Sequence, residues 1–135
     1  MKVRNWGAIG ILAASIAGSV LAHHSFTAEY DPDKRIKLSG KVTEMKWANP
    51  HAWIYLDVET NGKMVNWALE TGGANALIRR GWKKTDLPAG TVLNVDGWQA
   101  RNGSPTANVS SITFSDGRRL FAGTSNKAAK DEPEK

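Results

Sequence analysis

The chain has 135 residues, with 18 Lys+Arg against 13 Asp+Glu for a surplus of +5, and it contains no Cys. This length holds one domain, and the missing Cys excludes disulfides, thiolate metal sites and an anchor through a lipidated Cys. The first residues have the form of an export signal: Lys2 and Arg4 make a charged start, residues 7–21 are apolar, and Val20-Leu21-Ala22 puts small or aliphatic residues at a cleavage site. An apolar run of about 15 residues is short for a membrane span. Cleavage after Ala22 is therefore expected, with a periplasmic destination and no stable membrane anchor left behind. Loss of Lys2 and Arg4 lowers the surplus from +5 to +3, which with export argues against a nucleic-acid partner.

Residues 23–35 show no period and contain the turn-forming Asp31-Pro32-Asp33, so they read as an extended lead-in that Phe26 and Tyr30 would pin to the body. Ile36 to Trp47 reads as a first strand whose alternation changes phase. Ile36, Leu38 and Val42 share one parity, Met45 and Trp47 the other, and such a slip marks a β-bulge. Asn49-Pro50-His51 is a connection, because Pro donates nothing to a ladder. From Ala52, apolar Ile54, Leu56 and Val58 alternate with Trp53, Tyr55, Asp57 and Glu59, the period of a strand. Asn61-Gly62 is a type I′ hairpin signal, and Val65, Trp67 and Leu69 carry the return strand.

Residues 71–81 predict one short helix, capped by Thr71 or a following Gly and stopped by Gly81. Arg79, Arg80, Lys83 and Lys84 at its end suit the helix dipole better than a binding patch. Strands over 91–100 and 107–114 follow, then an Asp116-Gly117 turn and a short closing strand at Arg119-Leu120-Phe121. Residues 122–135 have little to bury and read as a disordered tail. The order β-β-β-α-β-β predicts an all-β domain with one short helix over 36–121, an OB-fold-like five-stranded small barrel. A plain antiparallel sheet with one helix is the alternative. Val42, Ile54, Leu56, Val65, Trp67, Leu69, Leu93, Val95 and Ile112 are the expected interior, with Leu77 of the helix closing one end.

Several short motifs occur together: His-His-Ser-Phe at 23–26, Gly-Lys-Val at 40–42, Trp-Ala-Asn-Pro-His at 47–51, Gly-Trp at 81–82 and Asp-Gly-Arg at 116–118. With them the chain resembles an uncharacterised family of short exported bacterial proteins, classed as a domain of unknown function, over nearly all of 23–121. The resemblance implies a secreted single domain. It implies no mechanism and assigns no catalytic residue.

The histidines carry the chemistry that the sequence offers. Cleavage after Ala22 makes His23 the N-terminus, and its free amine and ring Nδ1 can chelate one metal ion. Amine and imidazole titrate near pH 7.7–8 and 6.5 as free groups, so both release protons to a metal at modest cost. A third nitrogen from His24 or His51 completes an all-nitrogen site of the kind that favours Cu(II). The plain alternatives are mobile terminal His residues, a His51 ring bonded to a neighbouring carbonyl, and cleavage at another position. No nucleophile motif and no phosphate-cradling loop is present. Asp57, Glu59 and Glu70 fall on the parity away from the core and are expected in solvent. Trp53 and Tyr55 share that parity and form either a ligand platform or packing beneath other elements. The expected function is a non-enzymatic periplasmic binding domain for a small ligand, a metal ion or an envelope protein. A copper protein with a redox or carrier role is the alternative.

Overall fold

The central alternating stretch forms a hairpin. Trp53–Thr60 and Lys63–Glu70 are antiparallel strands β2 and β3, joined at Asn61 and Gly62 with φ of 52° and 76°. Both central residues thus take the positive φ that a type I′ turn requires. The structure, a computed structural model, describes residues 26–123. The expected signal segment, His23, His24 and the tail from residue 124 lie outside the described residues.

A four-residue helix, α1 (Phe26–Glu29), precedes a 17-residue strand, β1 (Tyr30–Lys46). The strand starts at Tyr30 and not at Ile36. Tyr30 already pairs with Ala100, and the Asp31-Pro32-Asp33 turn is absorbed as a register break before Arg35. Within it, the Asp33 N–H donates to Asp31 Oδ1 at 3.1 Å. The phase change expected in β1 is present as a second register break, between Val42 and Glu44. It sets Val42 opposite Leu56 and Met45 opposite Ile54, so residues of unlike parity both face inward partners.

Helix α2 (Ala74–Arg79) follows β3. Gly73 caps its start without a side-chain bond, and Asn49 Oδ1 accepts the Asn75 N–H at 3.2 Å from the β1–β2 connection. Its end is closed by paired bonds, Gly81 N–H to Ile78 O and Trp82 N–H to Leu77 O, with Gly81 at φ 94°. This is the Schellman arrangement, which satisfies carbonyls that the helix leaves open. Strands β4 (Val92–Ala100), β5 (Thr106–Phe114) and β6 (Arg119–Phe121) complete the chain.

Pairing runs β3-β2-β1-β4-β5-β6, and β3 also pairs in parallel with β5 over Ala68–Glu70 and Thr106–Asn108. That extra contact closes β1, β2, β3, β5 and β4 into a ring of five strands. The fold is all-β and OB-fold-like, a five-stranded small barrel with α2 between β3 and β4. Val42, Ile54, Leu56, Leu69, Leu93, Val95 and Ile112 are buried in one core with Leu77 and Trp82. Val65 and Trp67 are only half-buried. Before Ala68, β3 has no strand among the described residues on the side away from β2, so the wall around them is incomplete. A second, smaller cluster of Tyr30, Trp98, Ala100 and Phe26 lies apart from this core. Ala122 is buried and donates its N–H to Ser110 O at 2.8 Å, so the ordered wall extends past the expected start of the tail.

Candidate functional site

The site is assembled where the β1–β2 connection, the end of β3 and the start of β1 meet. Its foundation is a row of paired residues on the outer face of the ring. Trp53 pairs with Glu70, Glu70 with Asn108, Asn108 with Trp98, and Trp98 with Arg35. The Arg35 guanidinium stands 4.8 Å over the Trp98 ring, within the range of a cation–π contact. Across this row lies the start of the chain. The Phe26 ring packs edge-on against Trp98 at 5.3 Å and lies tilted by 31° against Tyr30 at 5.6 Å. Arg101 Nε donates to Thr27 O at 2.6 Å and holds α1 down from the other side.

Glu70 was expected in solvent and is instead buried. Its parity is as read, outward beside Trp53, but the lead-in covers it there. The Tyr30 hydroxyl donates to Glu70 Oε2 at 2.6 Å, and Asn108 Nδ2 donates to Oε1 at 3.4 Å. A buried carboxylate requires such donors, because desolvation without them is costly. Burial first, then the hydrogen bond to Glu70 and that carboxylate's charge, hold the Tyr30 hydroxyl far above the ordinary phenol range.

His51 joins this network from the connection. Its backbone position is fixed by its neighbours: the Ala52 N–H donates to Gly72 O at 3.2 Å, and the Thr71 N–H donates to Ala52 O at 2.9 Å. The ring Nδ1 lies 3.3 Å from Glu70 Oε1 and 3.3 Å from Thr71 O. Both neighbours are acceptors, so the proton of the neutral ring belongs on Nδ1. Nε2 then keeps its lone pair, and among the described residues none hydrogen-bonds it. The side chain is 42% exposed while that of Glu70 is 10% exposed. A wet imidazole edge is thus backed by a nearly dry carboxylate.

Trp53 and Tyr55 are half-buried on the same outer face, Tyr55 opposite Ala68. Asp57 on that face accepts from Asn66 Nδ2 at 2.7 Å. Among the described residues, no group of three or more His, Cys, Asp and Glu is arranged to hold a metal ion. None of their helices is long and apolar enough to cross a membrane. Tyr30 was legible as a pin for the lead-in. Its bond to Glu70, and the role of Asn108, were not, because both depend on contacts between distant strands.

A profile for a family of unknown function, DUF6152, matches residues 11–109. The chain belongs to this family. The matched span contains every member of the Tyr30–Glu70–His51–Asn108 network. Comparison with curated proteins and with solved structures gave no match.

Proposed function

We propose that this family member is an exported, non-enzymatic binding domain and that its ligand is a metal ion, Cu(II), taken up at His51. The observation that carries the reading is the His51 ring, bonded at Nδ1 to Thr71 O with Glu70 Oε1 3.3 Å away, while among the described residues none hydrogen-bonds Nε2. Metal-binding imidazoles commonly give their second nitrogen to a carboxylate or carbonyl in this way. The second source of nitrogen is the chain start. Phe26 packs on Tyr30, Tyr30 bonds Glu70, and Glu70 Oε1 lies 3.3 Å from His51 Nδ1, so the start of the described chain is linked to the site through these contacts. His23 and His24 stand three and two positions before Phe26 in the sequence. The His23 amine and ring, with His51 or His24, would supply three nitrogens, a set that suits Cu(II). Export rests on the charged and apolar segments of residues 1–22.

A second reading is a small organic ligand or an envelope protein on the outer face, favoured by Trp53 and Tyr55, which stay half-exposed there. One calorimetric series separates the two. Cu(II) is titrated at pH 7 into protein beginning at His23, into the same protein with one Ala added before His23, and into His51→Ala. The added Ala keeps every side chain but displaces the amine. The metal reading expects one tight site in the first protein and much weaker binding in both others. Equal affinity in all three would leave only nonspecific His binding, and the metal reading would fall. N-terminal sequencing of the exported protein adds an independent check, since any start other than His23 removes the chelate.

A further inference from the structure

We infer that Glu70 is a positioning residue, which fixes His51 as the Nδ1–H tautomer and presents Nε2 as a nitrogen ligand. The inference concerns the proposed metal site and rests on that reading for its use, but its test does not need a metal. The imidazole has two neutral tautomers, and in water the one protonated on Nε2 is ordinarily the more populated. A ligand that must donate from Nε2 therefore gains from a group that claims the Nδ1 proton.

Two oxygens lie 3.3 Å from Nδ1 and they are unlike: Thr71 O is its hydrogen-bond partner, and Glu70 Oε1 is an ion-pair contact. The Thr71 carbonyl is neutral, and Thr71 is held in place by its N–H and hydroxyl, both of which donate to Ala52 O. Glu70 is a carboxylate whose other contacts come from two further strands, Tyr30 of β1 and Asn108 of β5. Those donors keep its oxygens from turning away, so Oε1 stays directed at the ring. The ring's hydrogen bond goes to Thr71 O, and the Glu70 carboxylate, held from three strands at 3.3 Å, adds a negative charge that favours the proton on Nδ1. The arrangement fixes the ring before any ion arrives, and such outer partners commonly govern metal affinity by about 10–100-fold.

The test reads the tautomer directly. Long-range ¹H–¹⁵N spectra of metal-free protein at pH 8 distinguish the protonated nitrogen from the bare one in each His, and His51→Ala assigns the His51 signals by difference. Wild-type protein is expected to show Nδ1 protonated and Nε2 bare. In Glu70→Gln the Thr71 carbonyl remains but the carboxylate charge beside Nδ1 is gone, so a mixture of tautomers is expected, with Cu(II) affinity lowered by about 10–100-fold. Wild-type His51 protonated on Nε2 overturns the inference, and that measurement stands even if the variant fails to fold. A folded Glu70→Gln with unchanged tautomer and unchanged affinity also overturns it, assigning the role to Thr71 O alone. The expected tautomers in a protein that binds no Cu(II) would support the positioning by Glu70 and remove the metal reading.

Discussion

Tyr30 and Glu70 are 40 positions apart in the chain, and the hydroxyl of the first donates to the carboxylate of the second at 2.6 Å in a buried contact. This one bond fastens the chain start across the outer wall of the ring and covers a carboxylate that would otherwise be wet. Hydrogen bonds to charged groups contribute about 1.5–3 kcal/mol each. Tyr30→Phe keeps the ring that packs on Phe26 but removes the donor, so it should lower unfolding stability by roughly that amount. Urea unfolding of the two proteins measures it. No loss would mean that the chain start is not docked on Glu70 in solution.

The same contact gives a stability signature in alkali. The folded pKa of Tyr30 is raised above the unfolded value, which is near 10. Its contribution is therefore complete below about pH 10 and is lost as pH rises toward the folded value, because only the unfolded chain releases the proton. Wild-type protein should lose stability more steeply than Tyr30→Phe in denaturant series taken from pH 9 upward. Parallel curves for the two would show that the hydroxyl ionises equally easily in both states.

The incomplete wall beside β3 separates two residues that alternate identically. Leu69 is fully buried in the core, while Val65 is half-buried where β3 lacks its second neighbour. Leu69→Ala should cost about 2–5 kcal/mol. Val65→Ala removes less surface from a site already wet and should cost less than 1.5 kcal/mol, at or below the range for trimming a buried methyl group. Equal losses in thermal or urea unfolding would show that the wall is closed over Val65.

How much was legible follows from which contacts are local. The hairpin was, because Asn61 and Gly62 accept positive φ and the flanking residues alternate. The bulge was, because Val42 and Met45 cannot both face inward along a regular strand. His51 stood out by its chemistry, and its partner did not. Parity put Glu70 outward correctly, but what covers an outward face is decided by Tyr30 and Asn108 on other strands. The Glu70–Asn108 pairing comes from the parallel β3–β5 contact, and two strands separated by a helix and another strand leave no local mark of their register.

At Gly40, β1 leaves its neighbour β4 to run along β2. Gly40 pairs with Leu93, and the next residue, Lys41, pairs with both Val92 and Asp57. A methyl group on Gly40 would run into the backbone carbonyl of Asp57, with the Leu56 side chain 3.1 Å away. Backbone cannot move aside as a flexible side chain can, so Gly40→Ala must push β1 off β2 at the point where the ring turns. Gly62 is the control, since its φ is 76° but nothing lies within 4 Å of an added methyl. Its substitution meets only the left-handed backbone penalty, about 1–2 kcal/mol. Gly40→Ala meets an overpacked wall, for which about 1–3 kcal/mol and occasionally more is usual, and the backbone contact places it at the upper end. Gly40→Ala should therefore unfold at lower urea than Gly62→Ala. It should also weaken the docking of Tyr30, which the same strand carries, and so raise amide exchange around Ala100 and Arg101. The reverse order of stability would show that β1 and β2 do not approach this closely at Gly40.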